Sequence, residues 1–185
     1  IYSSLDENGI SYISLAGVVP NPRLSLIYRG IDMCRKEGVD FILAVGGGSV
    51  IDSAKAIGYG AANEGDVWDF YEGLRTAQDC LPIGAVLTIS AAGSEMSNSS
   101  VITKEEGWLK RGYKSDLCRP RFAVMNPELT VTLPKYQTSC GCVDIMMHTM
   151  ERYFNMSDNM ELTDGISEHL LRTVMKNAEI LMDDP

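Results

Sequence analysis

The stretch ILAVGGGSVIDSAKAI, Ile42–Ile57, decides the fold. Its apolar run Phe41–Val45 predicts a buried strand that ends at Gly46, and Ser49 with Asp52 has the spacing of a capping box that opens a helix. A strand, a glycine turn and a helix start bring free N–H groups and the positive end of the helix dipole to one place. We therefore predict an anion site there. The alternative is a tight turn whose glycines serve packing alone.

Two features of this stretch stay open at the level of sequence. The pattern is neither G-x-G-x-x-G nor a P-loop with its lysine. Lys55 lies further along the predicted helix, where it is either a phosphate partner or a solvated residue.

Outward from this stretch, helices and strands alternate. Leu24–Gly38 has helical spacing and ends at a glycine, and strand-like runs cover Ile83–Ile89 and Arg121–Met125. This alternation predicts an α/β fold with a mostly parallel sheet covered on both faces. After Pro134 the apolar spacing becomes entirely helical. We place a boundary near Thr132–Pro134, which divides the chain into an α/β domain, 1–133, and the start of a helical domain, 134–185.

Composition restricts the class of protein. With 45% hydrophobic and 22% charged residues among 185, the chain is typical of an ordinary globular protein. No apolar stretch approaches the roughly 20 residues that span a bilayer, so no membrane partner is expected. The net charge of −9 argues against nucleic acid as a partner. Five cysteines without a dense spacing make a disulfide framework unlikely, and we expect a reducing, cytoplasmic setting.

A second loop follows the strand at Ile83–Ile89. The sequence LTISAAGSEMSNSSVIT, 87–103, is rich in hydroxyl groups and small residues. At the carboxyl edge of a parallel sheet, such a loop lies beside the glycine turn and can contact the same ligand. An ordinary polar loop is the alternative. The basic stretch LKRGYK, 109–114, which contains Lys110, is also compatible with a solvated face.

Asp144 and His148 form a third candidate group. Four residues apart on a predicted helix, they lie on one face and can share one divalent ion. A carboxylate with an imidazole suits zinc or iron better than magnesium. A surface ion pair is the alternative, and Glu151 on the same face is either a further ligand or a surface acid.

Five segments in register resemble a known family. They are GGGSVIDSAK (46–55), GDVWDFYEG (65–73), the loop 87–103, RPRFAVMNPELTVTLP (119–134) and GCVDIMMHTMERYF (141–154). Their order and spacing resemble the iron-containing (group III) alcohol dehydrogenases, and within them the butanol-dehydrogenase-like branch. The resemblance implies the dehydroquinate synthase-like architecture, in which an α/β dinucleotide-binding domain meets a helical metal-binding domain across a cleft.

The resemblance also implies residue roles. Gly46, Gly47, Gly48 and Ser49 would bind the pyrophosphate of NAD or NADP, and Asp52 would hold the turn. Thr88 would lie beside the cofactor, and Ser99 and Lys110 would reach the ribose and nicotinamide side. Asp144 and His148 match the first two of the family's four ligands to iron or zinc, an aspartate and three histidines. No catalytic side chain is assigned.

The implied activity is hydride transfer between a primary alcohol or aldehyde and NAD(P), assisted by a divalent metal. The two remaining histidine ligands are expected beyond Pro185, because His169 follows His148 too soon and is expected on a helix surface. We thus expect this chain to be part of a longer protein, one that forms a homo-oligomer. Glycerol dehydrogenase-like or dehydroquinate synthase-like chemistry on the same fold, and a non-catalytic nucleotide-binding fragment, are the alternatives.

Overall fold

The computed structural model describes residues 1–184, and its elements follow the order expected for an α/β chain with a helical end. The helices are α1 (Tyr2–Glu7), α2 (Leu24–Glu37), α3 (Gly48–Ala62), α4 (Trp68–Glu72), α5 (Lys135–Tyr153) and α6 (Glu161–Asp183). The strands are β1 (Ile42–Gly46), β2 (Ile83–Leu87), β3 (Ser99–Lys104), β4 (Leu109–Lys114) and β5 (Phe122–Val124).

The main sheet contains three parallel strands in the order β1-β2-β5. The register places Ala44 beside Ala85 and Ala85 beside Ala123, while Gly46 lies beside Leu87 at the carboxyl ends of β1 and β2. The predicted parallel sheet is therefore confirmed.

Within residues 1–184, the predicted covering of both sheet faces holds for the central strand β2, which is buried along its whole length, but not for the two outer strands. The alanines Ala44 and Ala85 face α3 and are 3% and 0% exposed, whereas Val45 and Val124 on the opposite face are 40% and 47% exposed. Helix α2 packs on α3 rather than on that second face.

Strands β3 and β4 form a separate antiparallel hairpin, which the sequence analysis did not predict. Its register pairs Ser99 with Lys114 and Thr103 with Lys110. Tyr113 of β4 packs edge-on against Tyr59 of α3, with ring centroids 5.2 Å apart, so the hairpin is fixed to the helix that follows the glycine turn.

Helices α2 and α3 cross closely because two glycines remove side chains at the contact. A Cβ on Gly30 would collide with Ile57, and one on Gly60 would collide with Ile31. Helix α2 ends at Gly38 in the left-handed conformation (φ 64°), the usual helix C-cap. Of the two helices, α3 packs directly on β1, and α2 packs on α3.

Between Pro134 and Asp184 every regular element is helical, as predicted, and α5 packs along α6. Across residues 1–184, no helix is both long enough and apolar enough to cross a membrane. The division into domains at residues 132–134 stays a prediction.

Candidate functional site

The glycine turn connects the carboxyl end of β1 to the start of α3. Gly47 is the N-cap residue and α3 begins at Gly48, with no side chain capping the helix. Within residues 1–184, the backbone N–H groups of Gly47, Gly48 and Ser49 donate no hydrogen bond, while the amides of Val50 and Ile51 both donate to the Gly47 carbonyl. Three unpaired amides at a helix start can bind an anion.

The predicted capping box between Ser49 and Asp52 is wrong. Asp52 Oδ1 accepts a hydrogen bond from Ser94 Oγ at 2.6 Å, and Oδ2 accepts one from the Val101 amide at 2.9 Å. The carboxylate thus connects α3 to the second loop and to β3, and the helix start is left open to a ligand.

The three consecutive glycines have two different structural roles. A Cβ on Gly46 would lie 2.5 Å from Val50 Cγ2, and one on Gly47 would lie 2.5 Å from Ile89 Cγ2, so both positions exclude side chains by packing. A Cβ on Gly48 would meet nothing within 4 Å. Packing therefore explains two glycines, and the third borders open space beside the free amides.

Thr88 lies directly beside this turn. Its amide donates to the Gly46 carbonyl at 3.2 Å, which continues the β1–β2 pairing by one residue. The start of the second loop and the glycine turn therefore meet at one edge of the sheet, as the sequence predicted.

Lys55 is fully buried (0% exposed), so neither sequence interpretation of it, as a phosphate partner or as a solvated residue, is right. Its Nζ lies 2.7, 3.0 and 2.8 Å from the carbonyl oxygens of Ser94, Ser97 and Ser99. It also lies 3.1 Å from the hydroxyls of Ser94 and Ser97. Asp52 Oδ1 accepts from the same Ser94 hydroxyl.

Burial shifts the ionisation of both charged groups in this cluster. Desolvation lowers the pKa of Lys55 and raises the pKa of Asp52. The hydrogen bonds that Asp52 accepts from Ser94 and Val101 oppose the rise in its own pKa, and the attraction between Asp52 and Lys55 opposes both shifts.

Ser99 and Lys110 do not meet in the structure. Ser99 begins β3 and its carbonyl accepts from Lys55, whereas Lys110 lies opposite Thr103, towards the other end of the hairpin. Lys110 Nζ donates to Asn21 Oδ1 at 2.7 Å. Contact of these two residues with a nucleotide stays a prediction.

The side chains of Asp144 and His148 meet on α5, as their spacing predicted. Asp144 Oδ2 lies 3.7 Å from His148 Nε2, and both side chains are more than half exposed. Two ligands at about 2.1 Å from a tetrahedral metal are about 3.4 Å apart, so small side-chain movements would let both bind one ion. Within residues 1–184, no group of three or more His, Cys, Asp or Glu side chains is arranged to hold a metal.

Glu151 faces the other nitrogen of the same histidine. Its Oε2 lies 3.3 Å from His148 Nδ1, on the side opposite Asp144. Histidines that bind metals usually donate their second N–H to a carboxylate or carbonyl, which fixes the ring orientation. This donor set fits a divalent metal at Asp144 and His148, with Glu151 orienting the imidazole. His169 is exposed on α6, as expected.

Sequence reasoning missed the cluster formed by Lys55, Ser94 and Ser97. One feature of the sequence could have revealed it. Lys55 stands between Ala54 and Ala56 in a helix whose other residues are small, apolar or hydroxylated except Asp52. A helix that is apolar on all sides is buried, and a lysine buried with it needs oxygen partners.

The sequence profile described as iron-containing alcohol dehydrogenase matches residues 1–127, which include the glycine turn and the second loop. The chain belongs to this family. The resemblance noted from the sequence is confirmed.

Two curated relatives of this family match almost the whole chain. One is "Probable NADH-dependent butanol dehydrogenase 2" of Bacillus subtilis, 46% identical, with 97% of this chain and 46% of that protein covered. Another is "NADH-dependent butanol dehydrogenase A" of Clostridium acetobutylicum, 44% identical, with 97% and 46% covered. The chain spans about half the length of the curated relatives it matches.

A solved structure in this family has the same fold. NADH-dependent butanol dehydrogenase A from Thermotoga maritima aligns with a TM-score of 0.93 at 43% identity, covering 100% of this chain and 46% of that one. The alignment extends over α5, so the fold of the helix that carries Asp144 and His148 is also shared. The predicted fold class is confirmed.

Proposed function

We propose that the protein containing this chain transfers a hydride between a primary alcohol or aldehyde and a nicotinamide dinucleotide, NAD(H) in preference to NADP(H). The three free amides at the start of α3 are the observation that carries this proposal. The names of the two curated relatives support the choice of NADH and of butanol-like substrates.

In this proposal the nucleotide pyrophosphate binds at the glycine turn. The amides of Gly47, Gly48 and Ser49 donate to its oxygens, and the helix dipole of α3 stabilises its negative charge. Because a Cβ at Gly48 would point into open space, the absent side chain leaves room for close approach. Thr88, joined to Gly46, borders the same space. The bound nicotinamide supplies the hydride acceptor or donor.

Asp144 and His148 would hold a divalent ion, iron or zinc. When bound, the ion acts as a Lewis acid on the alcohol or aldehyde oxygen. Glu151 would accept the N–H of His148 Nδ1 and so hold the ring with Nε2 towards Asp144, where both could bind the ion. We also propose a cytoplasmic location, supported by the five cysteines, which are all free.

The test is an absorbance assay on the whole protein loaded with iron or with zinc. Butanol, butanal and glycerol are each offered with NAD(H) and with NADP(H). Fastest turnover with butanol or butanal and NAD(H) is the expected result. Preference for glycerol would favour the glycerol dehydrogenase-like alternative, and no change in NAD(P)H with any alcohol or aldehyde would refute the proposal.

A further inference from the structure

Lys55 has no part in the function proposed above, although it is a fully buried charge close to the glycine turn. It lies seven residues after Gly48 on α3, which is about two helical turns or roughly 10 Å along the axis. A charge in such a position is strongly unfavourable unless hydrogen bonds replace its water.

All the oxygen atoms that replace this water belong to one loop. The ammonium group has three N–H donors, and the five oxygens within 3.1 Å are the carbonyls of Ser94, Ser97 and Ser99 and the hydroxyls of Ser94 and Ser97. Asp52, one turn earlier on α3, binds the same loop through the Ser94 hydroxyl and reaches β3 through the Val101 amide. Helix α3 therefore holds the loop by two charged side chains.

The other end of this loop is attached to the glycine turn. The Thr88 amide donates to Gly46, so residues 88–99 begin at the turn and end at Lys55. Between these attachments, the backbone makes one short turn, in which Met96 and Ser97 both donate to Gly93. Removing Lys55 would leave the carbonyl oxygens of Ser94, Ser97 and Ser99 without their donor, and this end of the loop would keep only its contacts with Asp52 and the hairpin.

We propose that Lys55 is a positioning residue that holds the loop 88–99 in the shape that receives the nucleotide beside the glycine turn. The inference rests on the proposed function for the identity of the ligand. Because Lys55 is fully buried, it would act through the loop and not by direct contact with the nucleotide.

The test compares Lys55→Met with the unsubstituted protein, both as the whole protein. Methionine keeps the length and removes the charge. Lys36→Met is the matched control, because Lys36 is an exposed helical lysine whose side chain is 82% accessible. Three quantities are measured: the Kd for NADH by fluorescence titration, kcat at saturating NADH, and hydrogen exchange of amides 88–99 and of α2 without nucleotide.

We expect Lys55→Met to weaken NADH binding by at least about tenfold, equivalent to about 1.4 kcal/mol. The amides of 88–99 should exchange faster while those of α2 do not, and kcat at saturation should change by less than about twofold, since binding and not chemistry is altered. Lys36→Met should change none of the three. Ser94→Ala removes the hydroxyl shared by Asp52 and Lys55 and serves as a second variant if Lys55→Met does not fold. It should raise the Kd for NADH and the exchange of amides 88–99 by less than Lys55→Met would.

Several results would overturn the inference. They are an unchanged Kd, exchange that increases equally in α2 and in the loop, or a loss in kcat without a change in Kd. If the unsubstituted protein does not bind NADH, the proposed function fails instead. The exchange pattern then decides by itself whether Lys55 holds the loop.

Discussion

Gly48→Ala tests the glycine turn at the one of its three glycines, Gly46, Gly47 and Gly48, whose missing side chain makes room for no packing neighbour. The added Cβ would meet no atom within 4 Å. Alanine has a higher helix propensity than glycine by about 0.8–1.0 kcal/mol in a helix interior and by less at the first helical position. The free energy of unfolding should therefore stay the same or rise by up to about 1 kcal/mol.

Nucleotide binding should change in the opposite direction. A hydrogen-bonded oxygen lies about 2.9 Å from its amide nitrogen, whereas an added methyl keeps neighbouring atoms about 3.5 Å away. Losing one charged hydrogen bond costs about 1.5–3 kcal/mol. The Kd for NADH should then rise by about 10- to 150-fold.

The assay combines thermal unfolding with NADH titration of the whole protein. Gly165→Ala on α6 is the matched control, because a Cβ there also meets nothing within 4 Å and the site lies elsewhere. It should be as stable as the Gly48 variant and bind NADH normally. A Gly48→Ala protein that is stable and binds NADH with unchanged affinity would refute an anion site at this turn.

Three further predictions concern the metal pair, the cysteines and the sheet edge. Glu151→Gln should weaken iron or zinc binding by about 10- to 100-fold in a chelator competition, because it removes the charge that orients the ring of His148. His169→Gln is the control and should leave metal affinity unchanged. Equal metal affinities of the Glu151→Gln and unsubstituted proteins would contradict the orienting role of Glu151. Cys140, which is exposed, should react rapidly with a thiol reagent, whereas burial raises the pKa of Cys80 to about 12 and should protect it. Since the folded state favours the neutral Cys80 thiol, its contribution to stability should be complete below about pH 9 and be lost towards pH 12. The free energy of unfolding should therefore fall less between these pH values in Cys80→Ala than in the unsubstituted protein, which denaturant unfolding of both would show. Light scattering should show a homo-oligomer, since β1 pairs on one side only within residues 1–184 and an open edge can pair; a monomer at all concentrations would contradict this.

The stretch Ile42–Ile57 was sufficient to predict the strand, the turn and the helix, because each follows from local rules. The apolar run forms β1, glycine permits the close contacts with Val50 and Ile89, and the spacing after it forms α3. The contact between Asp144 and His148 was predictable for the same reason, since residues four apart on a helix must lie on one face.

The partners of Asp52 and Lys55 were not predictable in this way. Their hydrogen-bond partners lie some forty positions later in the chain. From the neighbouring residues alone, the spacing of Ser49 and Asp52 indicates a capping box. The hairpin of β3 and β4 was also missed, because its charged residues, such as Lys110 and Lys114, are typical of a solvated loop. Pairing with β3 determines the strand structure of β4 more than the composition of β4 does.

The hairpin also determines the order in which the chain can assemble. It is inserted between β2 and β5, so its own strands can pair by a local closure, which in isolated hairpins takes about 1–10 μs. The β2–β5 pair must instead wait until residues 88–121 have been brought together. We therefore expect the hairpin to be a folding nucleus and the last strand of the sheet to be a late addition. The folding rate should then be more sensitive to changes in the hairpin, whereas changes in β5 should mainly speed unfolding.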